Sequence, residues 1–290
     1  MKRILYFPVF LLLISCGRSG SDPGSKIITV SISPFKYFVE QIAGNDFTVN
    51  VMVPAGADPH TYEPFPGQIN NLRKSVGYIS NGFLGFEMNW LDRFYETNRS
   101  MKKLNLGDSI VPLSTEHRHE GGHIEAADPH YWVSPKCALV IASSVKIFLC
   151  RLNPSQSQKY NSNYQLLISK IHELDNKSGQ LFSDLPVKSF MIYHPNLAYV
   201  ARDYGLEEIP VEYEGKEPSP SRMRELIDRM RKENLRTIFV QIEYDTKNAK
   251  AIAGETGAKI VLIDPLSENW LKSTTDIIDN LHKSLMESSK

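Results

Sequence analysis

Three histidines stand beside or next to proline in three separate stretches of the chain. They are His60 in Ala57-Asp58-Pro59-His60-Thr61-Tyr62-Glu63-Pro64, His130 in Asp128-Pro129-His130-Tyr131-Trp132, and His194 in Ile192-Tyr193-His194-Pro195. An acid, Asp264, ends the apolar run Ile260-Val261-Leu262-Ile263 and precedes Pro265. These are places where a chain leaves a sheet and turns, and open α/β sheets bind ligands there. Three neutral imidazoles and one carboxylate make a tetrahedral zinc set. The chemistry expected is therefore metal binding, with Glu243 or a water as the alternatives to Asp264 at the fourth position. His172 and His282 fall on helical patterns and read as surface residues. Trp90, Trp132 and Trp270 read as packing between lobes.

A second group, His117, His119 and His123, lies in Glu116-His117-Arg118-His119-Glu120-Gly121-Gly122-His123. Glycine and charge make this an exposed loop, suited to weak, reversible metal capture.

The N-terminus places this chemistry outside the cytoplasm. Lys2 and Arg3 precede a short apolar run, Ile4 to Ile14, which is the plan of a signal peptide over residues 1–15 and too short to span a bilayer. Leu13-Ile14-Ser15-Cys16 resembles a bacterial lipobox, which makes Cys16 the lipidated residue. Residues 16–25, rich in Gly and Ser, read as a flexible tether. The protein is expected in the cell envelope, held to a membrane by lipid and facing the periplasm or exterior.

Hydrophobic residues make up 41% of the chain, enough for real cores. Removing Lys2 and Arg3 from 33 basic residues leaves about two fewer than the 33 acidic ones, which gives no electrostatic case for nucleic acid. Cys137 and Cys150 sit thirteen residues apart on one helical pattern, about 20 Å along its axis, whereas a disulfide needs Cα atoms within about 7 Å. They are expected to be buried free thiols.

The elements that must position the site alternate. Strands are expected at Ile27–Ser33, Phe47–Val53, Val76–Ser80, Lys103–Leu106 and Ile110–Leu113, with helices after Pro34, over Ile69–Ser75, around Glu87 and over Ser134–Leu152. Pro154 to Leu181 is the longest helical pattern, with Tyr164, Leu167, Ile171, Leu174 and Leu181 on one face. Alternation then resumes: strands at Ser189–Tyr193, Ile209–Glu212, Arg236–Gln241 and Lys259–Ile263, helices at Leu197–Tyr204, Ser221–Glu233, Thr246–Gly257 and Trp270–Met286. This predicts an α/β fold of two lobes with parallel sheets flanked by helices, joined by one long rigid helix, with the metal at the lobe interface. The expected divisions are an N-terminal lobe over 26–153, a connecting helix over 154–185 and a C-terminal lobe over 186–290.

The ordered series Asp58-Pro59-His60-Thr61-Tyr62-Glu63-Pro64, Asn81-Gly82 with Glu87 and Trp90, Asp128-Pro129-His130-Tyr131-Trp132, His194 with Tyr199 and Tyr204-Gly205-Leu206, Glu217-Pro218-Ser219-Pro220, and Asp264-Pro265-Leu266 resembles the zinc/manganese solute-binding proteins of ABC importers, the ZnuA/TroA type. The resemblance covers essentially all of residues 26–286. It implies His60, His130 and His194 as ligands, Asp264 as the fourth, Zn²⁺ rather than Mn²⁺ as cargo, and an ABC permease with its ATPase as partners of a monomer. The stretch from His117 to His123 resembles a shortened form of the His-rich loop of zinc members. Two departures stand out. Ser134-Pro135 replaces the usual Asp-Pro, and Pro195-Asn196-Leu197 follows the third histidine.

Three histidines on zinc also describe a hydrolase, in which an open coordination position holds water beside a general base. The sequence carries no HExxH, no second carboxylate cluster and no nucleophile elbow, and Asp264 would fill the open position. A carrier is the expectation rather than an enzyme. A surface adhesin of the same fold is the other alternative.

Overall fold

In the computed structural model, the described residues are 26–113, 127–212 and 216–289. They form two four-stranded sheets, each wholly parallel. The first contains β1 (Lys26–Ile32), β2 (Phe47–Val53), β3 (Ser75–Ser80) and β4 (Lys102–Asn105) in the order β2-β1-β3-β4. Its helices are α1 (Ser33–Ala43), α2 (Pro66–Lys74), α3 (Gly85–Thr97) and α4 (Pro135–Leu152). After α5 (Ser157–Ser183) the plan repeats, with β5 (Ser189–Ile192), α6 (Ala198–Tyr204), β6 (Glu207–Pro210), α7 (Pro220–Lys232), β7 (Thr237–Gln241), α8 (Lys247–Thr256), β8 (Lys259–Ile263) and α9 (Trp270–Ser288). The second sheet has the order β6-β5-β7-β8. Strand order therefore reverses between β1 and β3, and again between β5 and β7. Each reversal opens a crevice at the C-terminal strand ends.

Local chemistry sets the helix starts. Ser134 caps α4 by accepting the Cys137 N–H at 3.4 Å, with Pro135 at the first helical position. Ser219 does the same for α7 by accepting the Arg222 N–H. Gly205 ends α6 in the left-handed conformation at φ 68°, which a side chain would resist.

The 27 residues of α5 span about 40 Å. Near its start Asn163 donates to the Ile42 carbonyl of α1 at 2.9 Å, and further along Asp175 accepts from the Tyr204 hydroxyl at 2.8 Å. The helix thus touches the layers of both sheets. Its first residues differ from the expectation: Pro154–Gln156 form a separate 3₁₀ turn, because the chain tightens to shorter-range hydrogen bonds there.

Two strand expectations move. Ile110 to Leu113 is not a strand, since its partners are a turn and loop: the Ile110 N–H bonds Gly107, and Leu113 meets Asp128 and the Tyr199 hydroxyl. The strand expected at Ile209–Glu212 begins earlier, at Glu207, pairing Glu207–Pro210 with Ser189–Ile192. It is an edge strand, where exposed charge and a proline are tolerated.

The main core is continuous between the sheets. One cluster of buried apolar side chains runs from Ile28, Val30 and Phe38 through Tyr131, Trp132 and Leu174 to Ile192, Phe239, Trp270 and Leu281. Trp270 packs on Phe38 with ring centroids 5.1 Å apart and donates its indole N–H to the Trp132 carbonyl at 2.6 Å. Trp132 in turn donates to the Pro265 carbonyl at 2.8 Å. A second cluster, including Met191, Val211, Leu226, Met230 and Ile252, fills the far side of the second sheet. Cys137 and Cys150 are free, Cys137 buried as expected and Cys150 only half-buried. Among the described residues no helix is long and apolar enough to cross a membrane.

Candidate metal centre

His60, His130 and His194 come from chain segments far apart in sequence, yet one ring nitrogen of each lies within 4.8 Å of the others. Nε2 of His60 is 3.2 Å from Nε2 of His130. Two nitrogens on a tetrahedral zinc at about 2.0–2.1 Å stand about 3.3 Å apart, so this spacing is already that of a ligand pair. Nε2 of His194 is buried and has no hydrogen-bond partner, a cost that a bound cation would offset. The donor set fits zinc.

The first sheet supplies two imidazoles on matching turns. In each Asp-Pro-His motif the carboxylate accepts the backbone N–H of its own histidine: Asp58 from His60 and Asp128 from His130, both at 2.8 Å. The motif folds this way because an Asp side chain readily accepts an N–H two residues on. The same Asp128 oxygen lies 2.8 Å from Nδ1 of His130, which turns Nε2 toward the site and fixes the tautomer. Among the described residues no strand leads into His130, which opens a short 3₁₀ turn, His130–Val133, before α4.

Both turns rest on the link between β3 and α3. Glu87, 1% exposed, accepts the N–H groups of Asn81 at 2.8 Å and Gly82 at 2.6 Å and the Ser31 hydroxyl. Burial pushes its carboxyl up to about 7. Asn81 then donates to the Pro129 carbonyl at 3.0 Å, and its own carbonyl accepts from Tyr131 at 2.7 Å. Gly82 sits at φ 96°, and a Cβ there would fall 2.1 Å from the Asn105 side chain. A Cβ on Gly85 would fall 2.9 Å from the His60 carbonyl. Gly85 leaves room for the histidine loop, and Gly82 is fixed by its positive φ and by Asn105.

The second sheet supplies His194 just past the end of β5. Gln241, at the end of β7, both donates to the His194 carbonyl and accepts its N–H. Tyr244 stacks on the imidazole with centroids 4.7 Å apart and planes within 15°, while Glu212 lies 3.4 Å from Nδ1. The turn through Pro195, Asn196 and Leu197 is held by Glu208 of β6, which accepts the N–H groups of Asn196 at 3.1 Å and Leu197 at 2.7 Å. Desolvation pushes the Glu208 carboxyl up to about 8.

The electrostatics favour neutral imidazoles. Burial and the neighbouring His130 and His194 bring His60 down to about 3, and burial also lowers His130. Asp264 and Glu243 stand at the ends of the paired strands β8 and β7, outside the three-imidazole group. Oδ1 of Asp264 and both oxygens of Glu243 are buried without a hydrogen-bond partner. Burial first, then the charges of Asp264 and Asp58, push Glu243 up to about 7; burial raises Asp264. The structure thus brings the three histidines together and leaves Asp264 and Glu243 outside that group. His117, His119, His123 and Cys16 lie outside the described residues. His172 is exposed, as expected, whereas His282 is half-buried against Phe182. Asp58 and Asp128 could have been found from their repeated placement two residues before a histidine. Glu212, Gln241 and Tyr244 carry no such signal.

The fold and the site together define an α/β binding protein with two parallel sheets and a nitrogen-rich metal centre at their strand ends. The chain belongs to the family described as zinc-uptake complex component A, periplasmic, whose model matches residues 28–285. It is similar to the crystal structure of ZnuA, with 36% identity, a TM-score of 0.84 and coverage of 90% of this chain and 99% of that one. It also resembles a manganese-bound periplasmic metal-binding protein from Candidatus Liberibacter asiaticus, at 24% identity and a TM-score of 0.78 over 90% of this chain and all of that one, a likeness of fold alone. Among curated relatives, the zinc-binding protein AdcA of Streptococcus pyogenes is 26% identical over 90% of this chain and 54% of its own length. The zinc-binding lipoprotein AdcA of Streptococcus pneumoniae is 25% identical over 95% and 57%. The iron-binding protein YfeA of Yersinia pestis is 27% identical over 85% and 80%. The chain thus spans about half the length of the AdcA relatives it matches.

Proposed function

We propose that this protein is the extracytoplasmic binding component of a metal ABC importer, a lipoprotein that captures Zn²⁺ and delivers it to a membrane permease driven by an ATPase. The observation that carries the proposal is the convergence of His60, His130 and His194 on one point between the two sheets. Asp264 completes the shell as the fourth ligand, and Glu243 is the alternative at the neighbouring strand end. Three nitrogens favour zinc over manganese, which prefers oxygen ligands. With Asp264 as the fourth ligand the shell is closed and leaves no open position for a reacting water, so the site holds and releases metal rather than catalysing hydrolysis. The family, the zinc-binding names of the AdcA relatives and the lipoprotein name of one of them support the same reading.

The test is a competition titration of the mature protein with zinc and manganese against a chelator. One tight zinc site per chain is expected, with manganese weaker. Replacing His60, His130 or His194 by Ala should each weaken zinc by at least about 100-fold, more than the 10- to 100-fold typical of losing a residue behind the ligands. Equal affinities for the two metals, or three neutral substitutions, would overturn the assignment.

A further inference from the structure

At the opposite end of the first sheet from the metal centre lies a basic face. A cleft of about 410 Å³ is lined by Lys26, Arg73, Lys74, Lys102 and Arg151, with Ser75, Asn98 and Ser100 among them and no carboxylate. All five cationic side chains are exposed. Among the described residues, none of them pairs with an acid, although nine of the lysines and arginines elsewhere do. Three of the five have a local reason to be basic: Arg73 and Lys74 end α2 and Arg151 ends α4, where a helix C-terminus favours positive charge. Lys26 and Lys102 do not. They open β1 and β4, where the fold asks nothing of a charge.

Position says what this face meets. The strands are parallel, so the starts of β1, β3 and β4 share one end of the sheet, and the histidine loop after β2 and the Asn81 turn after β3 share the other. The six residues of β3 set the two ends about 20 Å apart. Lys26 is also where residues 16–25 join the folded chain. Ten residues reach at most about 36 Å when fully extended. An anchor at Cys16 therefore keeps this face within that distance of the bilayer.

We propose that the face formed by Lys26, Arg73, Lys74, Lys102 and Arg151 docks on anionic phospholipid headgroups, turning the metal centre away from the membrane that holds the anchor. The proposal rests on the anchored-lipoprotein reading of Cys16, which supplies the membrane as occupant. Five unpaired cations match a phosphate surface, and a protein with near-zero net charge has no general attraction to one.

The test uses the mature-length chain, from residue 16 onward with Cys16→Ser, so that no lipid is attached and the face is read by itself. It is sedimented with vesicles of phosphatidylcholine alone, or of phosphatidylcholine with about one-third phosphatidylglycerol. Binding is expected on the anionic vesicles only, and should fade between about 0.05 M and about 0.5 M salt as the charges are screened. Each cation near an anionic surface contributes about fivefold, so Lys26→Glu with Lys102→Glu should weaken partitioning by at least about 25-fold. Lys247→Glu with Lys250→Glu, the same charge change on exposed positions of α8, should leave it near the unmutated value. Zinc affinity, unchanged in both variants, confirms folding. Binding to neutral vesicles as well, an equal loss in both variants, no loss in the first, or displacement by millimolar inorganic phosphate would each overturn the proposal. Because the chain tested carries no lipid, failure here leaves the Cys16 reading standing, and failure of that reading is detected separately by membrane fractionation of the Cys16 variant.

Discussion

An imidazole can hold a divalent cation only when it is neutral, so protons and metal compete for the same nitrogen. The surroundings of His60 and His130 settle this competition in favour of metal, because burial and adjacent imidazoles hold both below the ordinary histidine range, His60 to about 3. An ordinary imidazole loses about 25-fold in metal affinity between pH 7 and pH 5, and three would lose about 10⁴-fold. The expectation here is a fall of less than about 100-fold over that range, read by zinc titration at each pH. The same shift has the opposite face in folding. The unfolded chain takes up these protons near pH 6.5 and the folded chain does not, so the metal-free protein should lose stability as pH drops from about 6.5 toward 3 and keep it above. Thermal melts of His60→Ala beside the unmutated protein should show a weaker fall in that window. A parallel fall would mean that other groups set the acid limb.

At the scale of single elements, the turn from β3 into α3 acts as the seat of two ligands. Glu87 holds the Asn81 and Gly82 N–H groups, and Asn81 holds the Pro129 carbonyl beside His130. Glu87→Ala should therefore weaken zinc by about 10- to 100-fold, as loss of groups behind a ligand does, although Glu87 is not among the ligands. A calorimetric titration checks this, with circular dichroism to show that the sheet remains. Zinc affinity equal to the unmutated protein would remove Glu87 from the site's support. The loop from Glu116 to His123 is the converse case. Ordering its residues costs about 1–2 kcal/mol each, so histidines there make a weak site. Deleting it should leave the tight affinity intact and lower total zinc bound at excess metal. Loss of the tight site on deletion would make a loop histidine a primary ligand in place of one of the three.

For the whole molecule, the continuous core matters most. Trp132, Trp270, Phe38 and Pro265 interlock across the two sheets, and α5 touches both, so the sheets are fixed partners. This packing sets the distance between the sheets, and with it how near His194 comes to His60 and His130. Attachment belongs to the same scale. Cys16→Ala should move the protein from membrane to soluble fractions while zinc binding by the folded part persists. A wild-type protein that is already soluble would sink the lipidation reading.

The three histidines and the parallel α/β plan were legible in the sequence, for a local reason. A proline or a strand end next to a histidine, and an Asp two residues before it, record a turn that the neighbouring residues determine by themselves. Strand edges were less legible: Glu207 and Glu208 looked like loop, because an edge strand needs no apolar alternation on its open side. The order of the motifs in the chain could rank the ligands but could not bring them together. Only tertiary packing decided that His60, His130 and His194 meet within 4.8 Å, that Tyr244 lies flat on His194, and that Asp264 and Glu243 end on adjacent strands with unpartnered oxygens. Those facts depend on pairings between residues up to 134 positions apart along the chain, as His60 is from His194, and no local pattern encodes a distance across two sheets.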